Sequence, residues 1–150
     1  KNSRDERMAA DALARVHAKL SSLMTFLRAQ PQVFFDGYDL TEDIHRLTSN
    51  FSSQNRIEEY TPFDKEGIAF NTDKGERIQV CLRDPSSNIL NNDNAIFKVV
   101  LHEISHTANH PSKESHGREF HRIMRYLQAK SVGLGIYDPL SPGQVCGMKV

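Results

Sequence analysis

The apolar positions of the chain follow a helical period in its first part and change to strand-like alternation further on. In residues 4–29 they recur at alternating steps of four and three, which lines up one apolar stripe along a long helix. The stripe consists of Ala9, Leu13, Val16, Leu20, Leu23 and Leu27. Pro31 ends this helix, because the residue before a proline avoids the α region. We expect the stripe to pack on the chain's own core, with a coiled-coil seam as the alternative.

Two short segments follow before the pattern changes. Residues 33–35 form an apolar connection that ends in a turn at Asp36-Gly37. Residues 41–51 predict a second helix, because their apolar residues lie along one side of it. From about residue 57 the helical period is lost.

Residues 68–70 and 78–83 predict the two strands of a β-hairpin, joined by a polar turn over residues 71–75. The free edge of such a hairpin can hydrogen-bond an extended peptide and lay it across a nearby site. Structural support for the core is the alternative role, and both interpretations stay open.

A third helix, predicted from about residue 93 to 109 with Asn92 or Asp93 as its cap, carries a His-Glu-x-x-His motif at residues 102–106. Residues four apart share a helix face, so His102 and His106 can direct two imidazole nitrogens at one point. Two neutral nitrogens suit zinc, and a carboxylate beside zinc-bound water, here Glu103, can take its proton. The alternative is a core helix on which two histidines and a glutamate fall at this spacing by chance, but burying these polar side chains without a partner is costly.

A catalytic zinc needs a third protein ligand and an open position for water. His110 continues the same helical row, but it lies about 12 Å along the helix from the first histidine, too far to share one zinc. His121 lies about 140° from His116 around the next predicted helix and faces elsewhere. His116 follows a five-residue loop that lets the chain double back, and Gly117 removes side-chain bulk where the backbone must pass close to the helix of the motif. The sequence therefore predicts one zinc ion per chain, bound by His102, His106 and His116.

The composition of the chain limits the classes of protein to which it can belong. A chain of 150 residues with 38% hydrophobic content fits one globular domain. Its net charge of zero gives no basic footprint for direct nucleic-acid binding, and no apolar run is long enough to span a bilayer. Cys81 and Cys146 form no Cys-x-x-Cys pair. One bridge or two thiols are both compatible with them, and we expect reduced thiols.

The motif, the loop after it and the segment His116-Gly117-Arg118-Glu119-Phe120 resemble the zinc metallopeptidases of the SprT-like and WLM (Wss1p-like) group. The sequence is most similar to the compact metallopeptidase-like proteins of large DNA viruses. The resemblance extends over residues 47–51, 74–76, 80–83, 135–139 and 146–148. It implies an α+β, zincin-like fold in which helices pack around a short hairpin or sheet and the His-Glu-x-x-His helix is central. We expect a single domain over residues 1–150, with the family-like core covering about 40–150.

The resemblance also implies the zinc ligands His102, His106 and His116, with Glu103 as the general base in the hydrolysis of peptide bonds. Tyr137 is a candidate donor to the carbonyl oxygen, and its alternative role is to close the core as a half-buried aromatic residue. Members of the group cleave proteins, including proteins crosslinked to DNA. Because this sequence shows no basic tail, viral or host proteins in the cell or virion are equally open as substrates. A zinc-stabilised protein-binding module and another metal-dependent hydrolase are the rival functions.

Overall fold

The structure is a computed structural model that describes residues 3–51, 56–59, 69–72, 77–83, 90–140, 144–145 and 148–149. Its helices within these ranges are α1 (Ser3–Arg28), α2 (Thr41–Asn50), α3 (Asp93–Ala108) and α4 (Arg118–Gly133). Its strands are β1 (Phe34–Phe35), β2 (Tyr38–Asp39), β3 (Arg56–Glu59), β4 (Ala69–Thr72), β5 (Arg77–Val80), β6 (Gln144–Val145) and β7 (Met148–Lys149). Over the part of the chain described, none of the helices combines the length and apolar character needed to cross a bilayer.

Helix α1 packs on the chain's own core, which confirms the prediction made from its apolar stripe. Val16, Leu20, Leu23 and Leu27 are fully buried and belong to the same hydrophobic cluster as the residues of α2, α3 and α4. The stripe is therefore used inside the chain rather than left as a seam for a second helix.

The predicted hairpin is present, and it is part of a larger sheet. Strands β4 and β5 are antiparallel, while β3 pairs with β5 in parallel, which gives the order β3-β5-β4. The parallel strand β3 was not predicted. Strand β4 lies at one edge of this sheet and next to α3. Asn71 and Thr72, which the sequence predicts as the start of the turn, are the last residues of β4, and the rest of the predicted turn lies outside the described residues.

Strands β1 and β2 form a hairpin whose two-residue turn, Asp36-Gly37, is the turn that the sequence predicts. Both turn residues have positive φ, 54° at Asp36 and 82° at Gly37, as a type I′ turn requires. Asparagine, aspartate and glycine tolerate this conformation best, so the Asp-Gly pair explains the turn. The hairpin brings the Tyr38 ring under the guanidinium of Arg122 on α4, 3.4 Å from its carbon to the ring centroid.

Helix α3 is the central element of this α+β fold, as predicted. It lies against α1, α2, α4 and strands β4 and β5, and most of its residues are buried. The Asn92 side chain caps its start by accepting a hydrogen bond from the Ala95 N–H at 2.8 Å. At its other end the guanidinium of Arg46, from α2, donates to the Ala108 carbonyl. This cation satisfies a carbonyl that the helix leaves without an internal partner.

One prediction about the cysteines is wrong. Cys81, buried directly after β5, is disulfide-bonded rather than a reduced thiol. Cys146 lies outside the described residues.

Candidate metal and catalytic site

Two imidazoles stand one helical turn apart on α3. The Nε2 atoms of His102 and His106 are 3.2 Å apart, and both side chains are only partly buried. The i, i+4 spacing brings them together because residues four apart are neighbours on a helix surface. Since the other faces of α3 are packed into the core, the two rings are held on the remaining face, toward the start of α4.

A short loop over residues 109–117 brings the third imidazole to the same point. Asn109 ends α3 by donating its N–H to the Ser105 carbonyl at 3.0 Å. Its side-chain Nδ2 donates to the Glu114 carbonyl at 3.1 Å, and the Gly117 N–H donates to the same carbonyl at 3.2 Å. These bonds fold the loop back toward α3, so that His116 is exposed and directed at the two helical histidines.

The three histidines have the geometry of a metal site. The Nε2 atom of His102 lies 3.2 Å from that of His106 and 3.3 Å from that of His116. Ligands on one tetrahedral zinc lie about 3.4 Å apart, given Zn–N bonds near 2.0–2.1 Å. A neutral imidazole nitrogen carries either one hydrogen or one lone pair, so His102 Nε2 cannot satisfy both neighbours by hydrogen bonding. A cation at their centre accounts for all three lone pairs, so the residues fit a metal ion.

Burial keeps two of these rings neutral. It is the main cause that lowers the pKa of His102, and it lowers the pKa of His106 to about 4, with the adjacent imidazoles adding to both effects. A neutral imidazole has the free lone pair that a metal ligand needs. At neutral pH both side chains are therefore ready to bind a cation.

The ring of Phe120 supports all three imidazoles, a role that the sequence analysis missed. Its centroid lies 5.1 Å from that of His102, 4.5 Å from His106 and 5.0 Å from His116, and the side chain is fully buried. From the sequence, the helical spacing of Phe120, Ile123, Met124 and Leu127 predicts only an apolar stripe that docks α4. Its position four residues after His116 was a signal for contact with that ring, but contact with both helical histidines depends on the packing of α4 against α3.

Gly117 is needed for space, although not where the sequence suggested. A Cβ atom built on Gly117 would lie 2.9 Å from the Cβ of Glu114, closer than real Cβ contacts come. The restricted space is therefore inside the loop itself, rather than between the loop and α3 as expected. Glycine lets the chain turn tightly between Glu114 and the start of α4.

Glu103 lies beside His102 and is almost completely buried. Its Oε2 is 4.0 Å from His102 Nε2, and burial raises the pKa of its carboxyl to about 7. This contact is not an ion pair, because the lowered pKa of His102 leaves that ring uncharged at neutral pH. A carboxyl group of this kind can exchange a proton near neutral pH.

Two histidines set aside by the sequence analysis lie apart from this cluster. The Nδ1 of His110 accepts the Ser112 N–H at 3.1 Å, so this residue is engaged within the exposed loop. His121 is exposed on α4 with its ring 5.3 Å from that of Phe120. Within the described ranges, the cluster of possible metal ligands around His102 contains neither of them.

Tyr137 is buried in the core, with its ring centroid 6.4 Å from that of Phe97. Phe97 lies five residues before His102, about 140° around α3, so Tyr137 packs against a different face from that of the histidines. Burial, with a smaller effect of Asp138, raises the pKa of its hydroxyl, which stays protonated. These contacts favour the packing role, and the role as a donor to the carbonyl oxygen stays a prediction.

The chain is similar to a viral protein and to a yeast protein of known structure. An uncharacterized protein of Acanthamoeba polyphaga mimivirus is 26% identical over 157 residues, which cover 99% of this chain and 74% of the relative. The crystal structure of Wss1 from Saccharomyces cerevisiae is similar with a TM-score of 0.49 at 19% identity, covering 63% of this chain and 72% of Wss1. The model of the WLM domain matches residues 49–149, about two thirds of the sequence. On the strength of this match, the chain belongs to the WLM domain family.

Proposed function

We propose that the chain is a zinc-dependent endopeptidase in which His102, His106 and His116 bind the metal and Glu103 is the general base. The observation that carries this proposal is the convergence of three Nε2 atoms, at 3.2 and 3.3 Å, beside a buried carboxyl group. The WLM family is associated with zinc metalloprotease activity, which supports the same conclusion.

The chemistry divides between the metal and the side chains. A zinc ion bound by three neutral imidazoles supplies a Lewis acid that lowers the pKa of water and polarises a carbonyl group. Glu103 takes the proton of the attacking water on its carboxylate and then passes it to the nitrogen of the leaving amine. Burial raises the pKa of this carboxyl to about 7 in the metal-free protein, and a bound cation would lower it, which favours the ionised form that accepts the proton.

The position of the sheet supports a peptide as substrate. Strand β4 is an edge strand of the described sheet and lies beside α3, the helix that carries the motif. An extended peptide can hydrogen-bond to such an edge as an added strand, which would hold its carbonyl groups near the histidines. This is the substrate-binding role considered for the predicted hairpin.

A structural zinc site is the rival interpretation. Such sites are usually closed by four protein ligands, and their folding function needs no base. Among the described residues, the group of possible ligands contains three histidines and no fourth His, Cys, Asp or Glu. An open fourth position and the adjacent Glu103 favour catalysis. Because α1 belongs to the same core as α3, we further infer that the chain acts as one domain.

The test is a comparison of Glu103→Gln with the wild type, each loaded with zinc. Glutamine keeps the shape of the side chain but cannot take a proton, so we expect hydrolysis of an unstructured protein such as casein to fall by ~10²–10⁴-fold. Zinc content should stay at about one per chain in both proteins, as determined by elemental analysis. Glu42→Gln, which changes an exposed carboxylate on α2, is the matched control and should keep full activity.

Either of two results would contradict the proposal. If the Glu103→Gln variant still hydrolyses protein, Glu103 is not the general base. If the fully zinc-loaded wild type cleaves no protein, the zinc-stabilised binding module is favoured instead.

A further inference from the structure

A cavity of about 570 Å³ lies beside the candidate metal site, and nothing so far assigns it a role. His116 forms part of its wall, so it begins at the position of a metal ligand. The other walls come from the β1–β2 hairpin, from the loop before α4 and from the outer face of α4.

Arginines dominate the wall that α4 contributes. Arg118, Arg122 and Arg125 all line the cavity, which we call the arginine pocket. Their spacing of four and three residues puts them on one helix face, where like charges repel and cost stability. The two carboxylates in the same wall offset only part of this positive charge, so the pocket suits a ligand of opposite charge.

Arg122 is held in an orientation that suits a carboxylate. Its guanidinium lies over the Tyr38 ring at 3.4 Å, and its Nε is buried without a hydrogen-bond partner in the part of the chain described. Stacking uses the face of the guanidinium and leaves the N–H groups of its two terminal nitrogens, which can bind a carboxylate as a pair. Arg125 is oriented more loosely, with its Nη2 3.9 Å from an Asp36 carboxylate oxygen.

We propose that the arginine pocket binds an acidic side chain, Asp or Glu, of the peptide substrate, close to the bond that is cut. This inference rests on the proposed function. Because His116 is shared between the pocket and the metal site, and an extended peptide advances about 3.3 Å per residue, the acidic residue lies within a few positions of the scissile bond.

The charges of the pocket favour one carboxylate over a nucleic-acid backbone. Three arginines face two carboxylates, those of Asp36 and Glu114, so the formal excess, leaving histidines aside, is one positive charge. A single acidic side chain neutralises it. A continuous run of phosphates would meet both carboxylates, and the chain as a whole carries no net charge to attract it.

The experiment compares peptides that differ by a single Glu or Gln. A parent peptide that the zinc-loaded enzyme cleaves is resynthesised with Glu, and in parallel with Gln, at each of four positions on either side of the scissile bond. At one position we expect kcat/KM to be ~10-fold higher for Glu than for Gln, because the Glu carboxylate can form a charge-assisted, bidentate pair with an arginine of the pocket.

Variants then assign that preference to the pocket. In Arg122→Gln and in Arg118→Gln the Glu-to-Gln ratio should fall toward one, and Arg122→Lys should restore only part of it because lysine lacks the planar fork. Arg7→Gln, which removes the same charge from exposed α1, should keep the wild-type ratio. Circular dichroism identifies any variant that fails to fold, and Arg118 is exposed, so its substitution is the safer one.

The outcomes separate this inference from the proposed function. If every peptide is cleaved and the ratio of kcat/KM for Glu to that for Gln is near one at all positions, the pocket does not bind an acidic side chain, while the proposed peptidase activity is still supported. If no parent peptide is cleaved, the proposed peptidase is contradicted, and the affinities of matched Glu and Gln peptides for the zinc-loaded Glu103→Gln protein then test whether the pocket binds an acidic side chain. If a single-stranded oligonucleotide bound, lost affinity in Arg118→Gln and displaced no acidic peptide, the pocket would serve nucleic acid and the inference would be wrong.

Discussion

His102 and His106 stand on α3, whereas His116 stands at the end of an exposed loop, and the two parts of the site are held by different interactions. Helix α3 is packed against the core through most of its length. The loop over residues 109–117 is held by a few hydrogen bonds, chiefly to the Glu114 carbonyl, and by contact of His116 with Phe120. The helical part is therefore formed by folding alone, while the loop part depends on local geometry and gains most from a bound metal.

The largest effect should come from removing the loop ligand. His116→Ala leaves two nitrogens in place of three, and we expect zinc affinity to fall by ~100-fold or more with the fold retained. Competition with a fluorescent chelator measures the affinity. His110→Ala is the matched control, since this histidine lies in the same loop but outside the cluster, and its affinity should equal that of the wild type. Equal zinc binding by both variants would show that the third ligand lies elsewhere.

The second prediction concerns the helical part and is made for the metal-free protein. The pKa of Glu103 is about 7 in the folded state against 4.5 ordinarily, so between these values the folded chain holds a proton that the unfolded chain has lost. The stability that this proton contributes is present below about pH 4.5 and is lost as the pH rises through 7. Glu103→Gln cannot ionise, so its free energy of unfolding should exceed that of the wild type by about 1–3 kcal/mol above pH 7.

Urea unfolding of both metal-free proteins from pH 4 to 9 measures this difference. The lowered pKa of His106 affects the two proteins alike and cancels in the comparison. Adding zinc should reduce the difference in free energy of unfolding between Glu103→Gln and the wild type, because a nearby cation favours the ionised carboxylate. A difference that stays constant across the pH range would mean that burial does not control the protonation of Glu103.

The smallest effect should come from the loop backbone. In Gly117→Ala the new Cβ lies too close to Glu114, so the turn before His116 must shift and zinc affinity should fall by ~10-fold, about 1.4 kcal/mol. Gly133→Ala is the control, because a Cβ added there meets nothing within 4 Å, and its zinc affinity should be unchanged. Isothermal titration at one pH compares the two. A loss of affinity in both variants would point to a general effect on α4 instead of the turn.

The parts of the molecule that sequence could predict are those governed by neighbours in the chain. The helical period of α1, the i, i+4 histidines of α3, the Asp-Gly turn and the β4–β5 hairpin all follow from local spacing, and each is present. His110 could also be set aside by distance along the helix alone. The convergence of His116 on this pair was predicted from a short loop, which leaves the chain few other paths.

The features that sequence could not supply join residues far apart in the chain. Strand β3 pairs in parallel with β5, although nothing in its own four residues indicates which strand it will join. Arg46 reaches the Ala108 carbonyl across 62 residues, and Arg15 pairs with Asp93 across 78. Such contacts depend on the docking of whole helices. The contact of Phe120 with all three imidazoles belongs to the same class.

The β1–β2 hairpin, which supplies Asp36 and Tyr38 to the arginine pocket, precedes residue 49, where the match to the WLM domain begins. The metal ligands, by contrast, all lie within the matched region. The arginines of the pocket also lie within the matched region, so only the hairpin side of its wall belongs to a separate stretch of sequence. A change confined to the hairpin would therefore alter how the Arg122 guanidinium is held while leaving all three histidines in place.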